Sequence, residues 1–321
     1  MNPKIVFVTD FPDAADEARM ISPSGFDLVI AEAHSSEYQD ALMDAEYLVG
    51  FVDSLVNEKL YQDAQHLRLI QLLSAGYDKA DIQAAIQYGV PIANNGGANS
   101  IAVSEHALML MLAVSRKLVQ QHATVTAGKW RGKVTPRVHE ISGKTLGIIG
   151  LGTIGKKTAR RASAFGMRVN YYDIDRLTED EEDALGVKFN LLSEIFLNSD
   201  IISLHVPYNS STHHMVGADE LAVMKSEAIL INTARGPIVN ESALYNALAE
   251  GIISGAGLDV FEQEPPPEDH PLFGLENVIL TAHLAGPTFE SFSARVRNGF
   301  DNVQRVARGD NPLWVIPELS E

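Results

Sequence analysis

Short apolar runs alternate with amphipathic stretches through the first hundred residues. Residues 5–8, 27–30, 47–52, 69–73 and 90–93 are apolar or β-branched nearly throughout, the pattern of parallel strands covered on both faces. Helical patterns over 14–20, 40–45 and 81–88 separate them. Turn formers at 94–100 then interrupt the series. A long helix is predicted from 100 to about 123, with Asn99 or Ser100 as its N-cap. A second alternating series opens at 145–150 and continues with strands predicted at 168–173, 201–205, 228–232, 255–259 and 278–281. After Gly286 and Pro287 comes one last helix, 289–308, too short to stand alone and expected to pack back on the first series. This repeated β-α-β alternation predicts an α/β fold of two doubly wound parallel-sheet domains, Rossmann-like and flavodoxin-like. One domain is inserted into the other: 1–98 joins 288–321, and 99–287 lies between them.

Composition narrows the function. The 321 residues are 45% hydrophobic and 21% charged, enough apolar surface to offset the entropy of folding and exclude disorder. The 25 basic residues face 42 acidic ones, a net charge of −17. Such a surface repels phosphodiester backbones and anionic lipids, so neither nucleic acid nor membrane is an expected partner. The absence of cysteine excludes disulfides, thiolate metal sites and cysteine nucleophiles, and is consistent with a reducing cytosol. The apolar run near the N-terminus is too short for a signal-peptide core. The stretch 107–114 falls short of the about 20 residues that span a bilayer, so the expected location is cytoplasmic. The basic segment 128–137 is expected to be a solvated or subunit-contact loop, with a gate for an anionic ligand as the alternative. The acidic run 179–183 reads as an exposed helix start.

Residues 150–155 read Gly-Leu-Gly-Thr-Ile-Gly. This G-x-G-x-x-G follows a predicted strand and opens a helix predicted over 156–165, and Asp173 stands 18 residues beyond the third glycine. Gly150 permits the tight turn, Gly152 lets the backbone approach a pyrophosphate, and Gly155 lets helix and strand pack closely. The N-terminus of that helix, just after Thr153 and Ile154 of the fingerprint, offers free N–H groups and partial positive charge to a diphosphate. Asp173 can accept from the adenosine ribose diol and would repel a 2′-phosphate. NAD is therefore favoured over NADP, with Arg176 the residue that argues the other way.

Three further segments, 231–236, 257–265 and 280–286, each hold a charged or titratable residue at the C-terminal end of a predicted strand, the edge where doubly wound sheets bind ligands. With 73–78, 103–106, 204–207 and Thr212, this order resembles the D-2-hydroxyacid dehydrogenase family over almost the whole chain. That family includes phosphoglycerate dehydrogenase, glyoxylate/hydroxypyruvate reductase and formate dehydrogenase. The resemblance implies an NAD-binding domain at 99–287 and a substrate domain from the two flanking segments, with a cleft that closes over a small 2-oxo or 2-hydroxy acid. It implies that Arg235 binds the substrate carboxylate and polarises the C2 oxygen, a task suited to its planar fork. The Ala75 and Gly76 amides would hold the carboxylate's other side. His283 would exchange a proton with the C2 oxygen, and Glu264 would orient it and stabilise the imidazolium. Asp259 with the Thr233–Ala234 backbone would meet the nicotinamide, and His205, Val206, Pro207 and Thr212 would lie along adenosine and phosphates. Taken singly these residues have plainer readings: a surface ion-pair arginine, a structural histidine, a loop glutamate. Their order behind a dinucleotide fingerprint outweighs those readings.

Two positions depart from the family pattern. Ala282 stands where proline commonly precedes the histidine, and is expected to loosen the backbone there. Ser104 replaces the usual alanine before Glu105. Glu105–His106 is expected to shape the cleft rather than form a second catalytic pair. His213–His214 is expected to be a loop pair and not a metal site, since no carboxylate follows at helical spacing. The family is usually dimeric through the cofactor domain, which points to the 100–123 helix and the Trp130 loop. Two alternatives stay open. One is a phosphoglycerate dehydrogenase without a C-terminal regulatory domain, for which the 34 residues after Pro287 are too few. The other is an NAD-sensing interaction protein like the family's corepressors.

Overall fold

The structure, a computed structural model, describes residues 2–132 and 137–319. It contains two compact units, Met1–Asn99 with Pro287–Glu321, and Ser100–Gly286. The chain opens with β1 (Lys4–Val8), α1 (Pro12–Ile21), β2 (Asp27–Ala31), α2 (Ser36–Leu42), β3 (Tyr47–Gly50), α3 (Glu58–Asp63), β4 (Leu69–Leu72), α4 (Ile82–Tyr88) and β5 (Ile92–Ala93). The second unit runs α5 (Ser100–Ser115), α6 (Leu118–Thr126), β6 (Thr145–Ile149), α7 (Thr153–Ala164), β7 (Arg168–Tyr172), α8 (Glu179–Leu185), β8 (Val187–Phe189), α9 (Leu192–Asn198), β9 (Ile201–Leu204), α10 (Ala218–Val223), β10 (Ile229–Asn232), α11 (Glu241–Ala249), β11 (Gly255–Leu258) and β12 (Val278–Leu280). The last helix, α12 (Phe289–Ala307), belongs to the first unit.

Among the described residues the first sheet has five strands, ordered β2-β1-β3-β4-β5, and the second has seven, ordered β12-β11-β10-β9-β6-β7-β8. All paired strands are parallel. Parallel strands need helical crossovers, and the helices cover both faces. In the first unit Val6, Leu48 and Ile70 point into one core. Their neighbours Ile5, Phe7, Tyr47 and Leu69 point into the other, where Val296, Phe300 and Val303 of α12 join them. The second unit repeats the scheme, with Ile149, Leu204 and Leu230 on one face and Ile148, Ile201 and Ile231 on the opposite one. This two-sided burial explains why the strands read as continuous apolar runs.

The helix expected over 100–123 is two helices. Lys117 takes a left-handed φ of +49°, and the Ser115 carbonyl accepts from the His139 amide at 2.9 Å, not from the amide four residues on. Leu118 and Val119, 56% and 57% exposed, carried the apolar periodicity through the break without facing a core. Asn99 does not cap α5, because its Oδ1 is sealed without a partner. Helix α7 starts at Thr153, earlier than the expected 156, and β8 was not expected from the sequence; three residues between Gly186 and Asn190 are too few to show a period. Of the basic segment 128–137, residues 133–136 lie outside the described residues. Among those described, no helix is long and apolar enough to cross a membrane.

Candidate active site

The order of the second sheet reverses between β6 and β9, which pair directly, Ile149 opposite Leu204. The chain ends beyond such a reversal are where open parallel sheets bind ligands. Gly150 follows β6 with φ +94°, and a Cβ there would lie 2.7 Å from the carbonyl carbon and oxygen of His205. Only glycine lets these two segments pass. A Cβ on Gly155 would lie 2.2 Å from the Gly150 carbonyl oxygen, whereas one on Gly152 would meet nothing within 4 Å. Gly152 is the N-cap of α7 and supplies no side-chain cap, so the first-turn amides at Thr153, Ile154 and Gly155 lack intrahelical acceptors. A bare helix N-terminus beside an open glycine fits a diphosphate.

Asp173 is the first residue after β7. Its Oδ2 accepts from the Leu151 amide at 2.6 Å and its Oδ1 from Asp175 at 3.2 Å, which ties the glycine loop to the next strand. Arg176 is turned to Glu182: Nε donates to Oε1 at 2.9 Å, and the guanidinium lies 5.0 Å over the Phe189 ring. The Tyr171 hydroxyl donates to the same Glu182 oxygen at 2.9 Å. His205 pairs with the Ser203 hydroxyl at 3.0 Å. Burial pushes its pKa down to about 4, so it is neutral at pH 7. Thr212 donates to the Pro207 carbonyl at 2.8 Å and accepts from the Asn209 amide at 2.9 Å, closing the loop that carries Val206 and Pro207.

Along the same edge, Asn232 ends β10 and organises the turn after it. Its Oδ1 accepts from the Ala234 amide at 3.0 Å and its Nδ2 donates to the Arg235 carbonyl at 2.9 Å. The Arg235 guanidinium donates to the Ala234 carbonyl at 2.7 Å, and Thr233 Oγ1 is sealed without a partner. A Cβ on Gly236 would lie 1.9 Å from the Phe261 carbonyl, so the segment after Arg235 runs against the segment leading to Glu264. Glu264 accepts from the Phe261 amide at 3.1 Å, and its Oε2 lies 2.7 Å from Nδ1 of His283. Burial alone would raise the Glu264 pKa. The hydrogen bonds from His283 and Phe261, with the charges of His283 and Arg235, outweigh it and hold the carboxyl below its ordinary range.

His283 has a left-handed φ of +54°, which a side chain adopts only when its surroundings hold it there. Asp259 does the holding. Its carbonyl accepts from the His283 amide at 2.7 Å. Its fully buried carboxylate accepts from the Thr281 hydroxyl at 2.6 Å, the Leu284 amide at 2.9 Å and the Ala285 amide at 2.8 Å. The loosening expected from Ala282 is therefore met by a loop tied on either side of the histidine. The Asp259 carboxylate lies inside that loop, held by Thr281, Leu284 and Ala285. The Thr281 proton goes to Asp259, so the Thr281 oxygen accepts from His106, whose Nε2 is 2.9 Å away. Burial lowers the His106 pKa, opposed by the Asp259 charge.

With Nδ1 held by Glu264, Nε2 is the nitrogen of His283 left for proton exchange. The arrangement offers a planar cation, a proton donor with its orienting carboxylate, and a dinucleotide cradle on one sheet edge. Ala75 and Gly76 belong to the first unit, beyond β4. Ser74 Oγ donates to the Gly76 carbonyl at 2.7 Å and Asn94 Nδ2 to that of Ala75 at 3.4 Å. His213 and His214 stack at 3.9 Å, and His214 pairs with Glu262 at 2.9 Å. Among the described residues no group of three or more His, Cys, Asp or Glu could hold a metal ion. The supporting roles of Asn232, Thr281, His106 and Glu182 went unread in the sequence. Only the places of Asn232 and Thr281 at predicted strand ends pointed to them.

Comparison with known proteins gives a consistent picture. Residues 108–285 match the family model described as D-isomer specific 2-hydroxyacid dehydrogenase, NAD binding domain. The chain is 40% identical over 276 residues to a glyoxylate reductase of Korarchaeum cryptofilum, covering 85% of this chain and 83% of that one. It is 37% identical over 306 residues to a D-3-phosphoglycerate dehydrogenase of Methanocaldococcus jannaschii, covering 95% of this chain and 58% of the relative. The crystal structure of a glyoxylate reductase from Paecilomyes thermophila superposes with a TM-score of 0.85 at 28% identity, covering 99% of both chains.

Proposed function

The chain belongs to the D-isomer-specific 2-hydroxyacid dehydrogenases, and from that premise we propose that it transfers hydride between NAD and C2 of a small 2-oxo or 2-hydroxy acid. The observation that carries this reading is the 2.7 Å His283–Glu264 pair with the Arg235 charge acting on the same carboxylate. The nicotinamide, when bound, supplies or accepts the hydride. Arg235 binds the substrate carboxylate and draws charge onto the C2 oxygen. His283 Nε2 gives that oxygen a proton in reduction and takes it back in oxidation, while Glu264 fixes the ring and balances the imidazolium. Asp259, Thr281 and His106 act through His283 as positioning residues. The Ala75 and Gly76 amides keep the part of further carboxylate donors.

Gly150, Gly152, Thr153, Ile154 and Gly155 form the diphosphate cradle in this reading, with Asp173 on the ribose. His205, Val206, Pro207 and Thr212 border the adenosine and phosphates, and Thr233 and Ala234 the nicotinamide. NAD is preferred over NADP because Arg176, the cation nearest in sequence to Asp173, is engaged by Glu182 and Phe189. A homodimer through the second unit is supported by the exposed apolar side chains Met109, Leu118, Val119, Val125 and Trp130; light scattering on the eluted protein tests it.

The deciding experiment follows NADH, and separately NADPH, against glyoxylate, hydroxypyruvate, pyruvate, phenylpyruvate and 2-oxoglutarate, with 3-phosphoglycerate in the oxidative direction. NADH turnover with at least one 2-oxo acid is expected. Oxidation of 3-phosphoglycerate alone would move the chain to phosphoglycerate dehydrogenase. NADH binding without any turnover would favour the NAD-sensing reading.

A further inference from the structure

The acidic run 179–183 turns one of its members inward. The Thr178 hydroxyl caps α8 by accepting from the Glu181 amide at 3.4 Å, and the Glu181 carboxylate accepts from the Thr178 amide at 3.0 Å. Glu179, Asp180, Glu181 and Asp183 are exposed, as suits acids at a helix start. Glu182 is 7% exposed, and a buried carboxylate has to be paired. Its Oε1 accepts from the Tyr171 hydroxyl at 2.9 Å and from Arg176 Nε at 2.9 Å, and its Oε2 lies 3.5 Å from Arg176 Nη2. The hydrogen bond from Arg176 is the largest of the effects that hold the Glu182 carboxyl below its ordinary range, so Glu182 is an anion at neutral pH.

These contacts set the course of the chain after β7. Tyr171 is fully buried, and its hydroxyl accepts from the Leu177 amide at 2.9 Å. Asp173 accepts from the Asp175 amide at 3.2 Å. The turn 173–177 is thus tied at both ends, with Arg176 inside it and its guanidinium 5.0 Å over the ring of Phe189 in β8. Asp173, the acid suited to a ribose diol, and Arg176, a cation suited to a 2′-phosphate, stand three residues apart in one turn. The Arg176 side chain is 52% exposed, so it can leave Glu182 without opening a core.

We propose that Glu182 is a specificity-determining residue for the cofactor: by holding Arg176 against α8 it keeps closed a site for the 2′-phosphate of NADP that the turn after β7 otherwise contains. Glu182 acts through Arg176 and is in that sense a positioning residue. This rests on the dinucleotide-binding part of the hydride-transfer reading. It goes further in making the preference for NAD the work of one carboxylate on α8 and not of Asp173 alone.

The test measures Kd for NADPH and for NADH by fluorescence titration of the full chain, in wild type, Glu182→Gln, Arg176→Ala and the double variant. Gln can still accept from Tyr171 but gives up the charge that holds the guanidinium. Glu182→Gln should bind NADPH about tenfold tighter than wild type, the worth of one charge-assisted hydrogen bond, with NADH affinity little changed. Adding Arg176→Ala should cancel the gain. A purely structural role would weaken both dinucleotides together and would tighten neither. An unchanged NADPH-to-NADH ratio in Glu182→Gln, or a gain that survives the loss of Arg176, overturns the proposal. If Glu182→Gln does not fold, Phe189→Leu decides: it removes the ring beneath the guanidinium and should shift the ratio the same way by a smaller factor, and no shift overturns the proposal. The readout is binding, so a chain that binds NADH but turns over no 2-oxo acid fails the hydride-transfer reading and leaves this test intact. A wild type that binds neither dinucleotide overturns both.

Discussion

At the ligand edge of the second sheet, Asp173, Asp259, Glu264 and His283 are hydrogen-bonded to neighbouring segments of their own unit, and the Arg235 guanidinium to the Ala234 carbonyl. At the matching edge of the first sheet the Arg295 guanidinium lies over the Phe51 ring, and its buried Nε has no hydrogen-bond partner. The two sheets share parallel pairing, two-sided cores and a reversal of strand order, so architecture does not cause the difference. An edge whose charges are completed by its own chain is preorganised for chemistry, because little has to move when charge develops. An edge that keeps a buried cation without a counter-charge gives up stability. The same topology therefore carries two edges whose charges are completed differently.

The largest effect that tests this contrast is on rate. His283→Ala and Arg235→Ala should each lower turnover about a hundred- to ten-thousandfold, while NADH still quenches intrinsic fluorescence on binding. Full activity in either variant would remove the second edge's claim to be the catalytic one. The next effect is on stability and has opposite signs at the two edges. Asp259→Ala strips the acceptor from one hydroxyl and two amides. Urea unfolding should show a loss of about 3 kcal/mol or more, since each buried donor left unsatisfied costs about 1–3 kcal/mol. Arg295→Met, by contrast, removes a charge that nothing compensates and should lose no stability. Two losses of similar size would mean that Arg295 is paired by the fold after all.

Much of this was legible in the sequence, and the illegible remainder has physical causes. Strand positions were readable because both faces of each sheet are covered, which makes every strand an apolar run. The glycine loop was readable because Gly150 and Gly155 answer contacts of 2.7 Å and 2.2 Å that any Cβ would violate. The break at Lys117 was not readable, since it depends on a hydrogen bond from His139, 22 residues past the Lys117 position. Asp259 was picked out as a site residue, but its support of 281–285 is set by where β11 and β12 lie side by side. Arg295 gave no signal at all. It reads as one more polar position on an amphipathic helix, and only its burial without a carboxylate partner distinguishes it.

The smallest effect concerns pH and separates the orienting role of Glu264 from its structural one. Its carboxyl pKa in the folded protein lies below the ordinary 4.5. The unfolded chain therefore binds the proton more readily, and stability from this group is fully present above the unfolded value. It is lost as pH falls through the lower folded one. Glu264→Gln abolishes that titration. The stability gap between wild type and variant should narrow on going from about pH 6 to about pH 3, by less than about 1 kcal/mol, because the pair is over a third exposed and water screens it. The effect on turnover should be far larger, because Gln can hold the ring but cannot balance an imidazolium. A variant that lost stability and activity in equal measure would show Glu264 to be a loop brace, and would leave the second edge as uncommitted as the first.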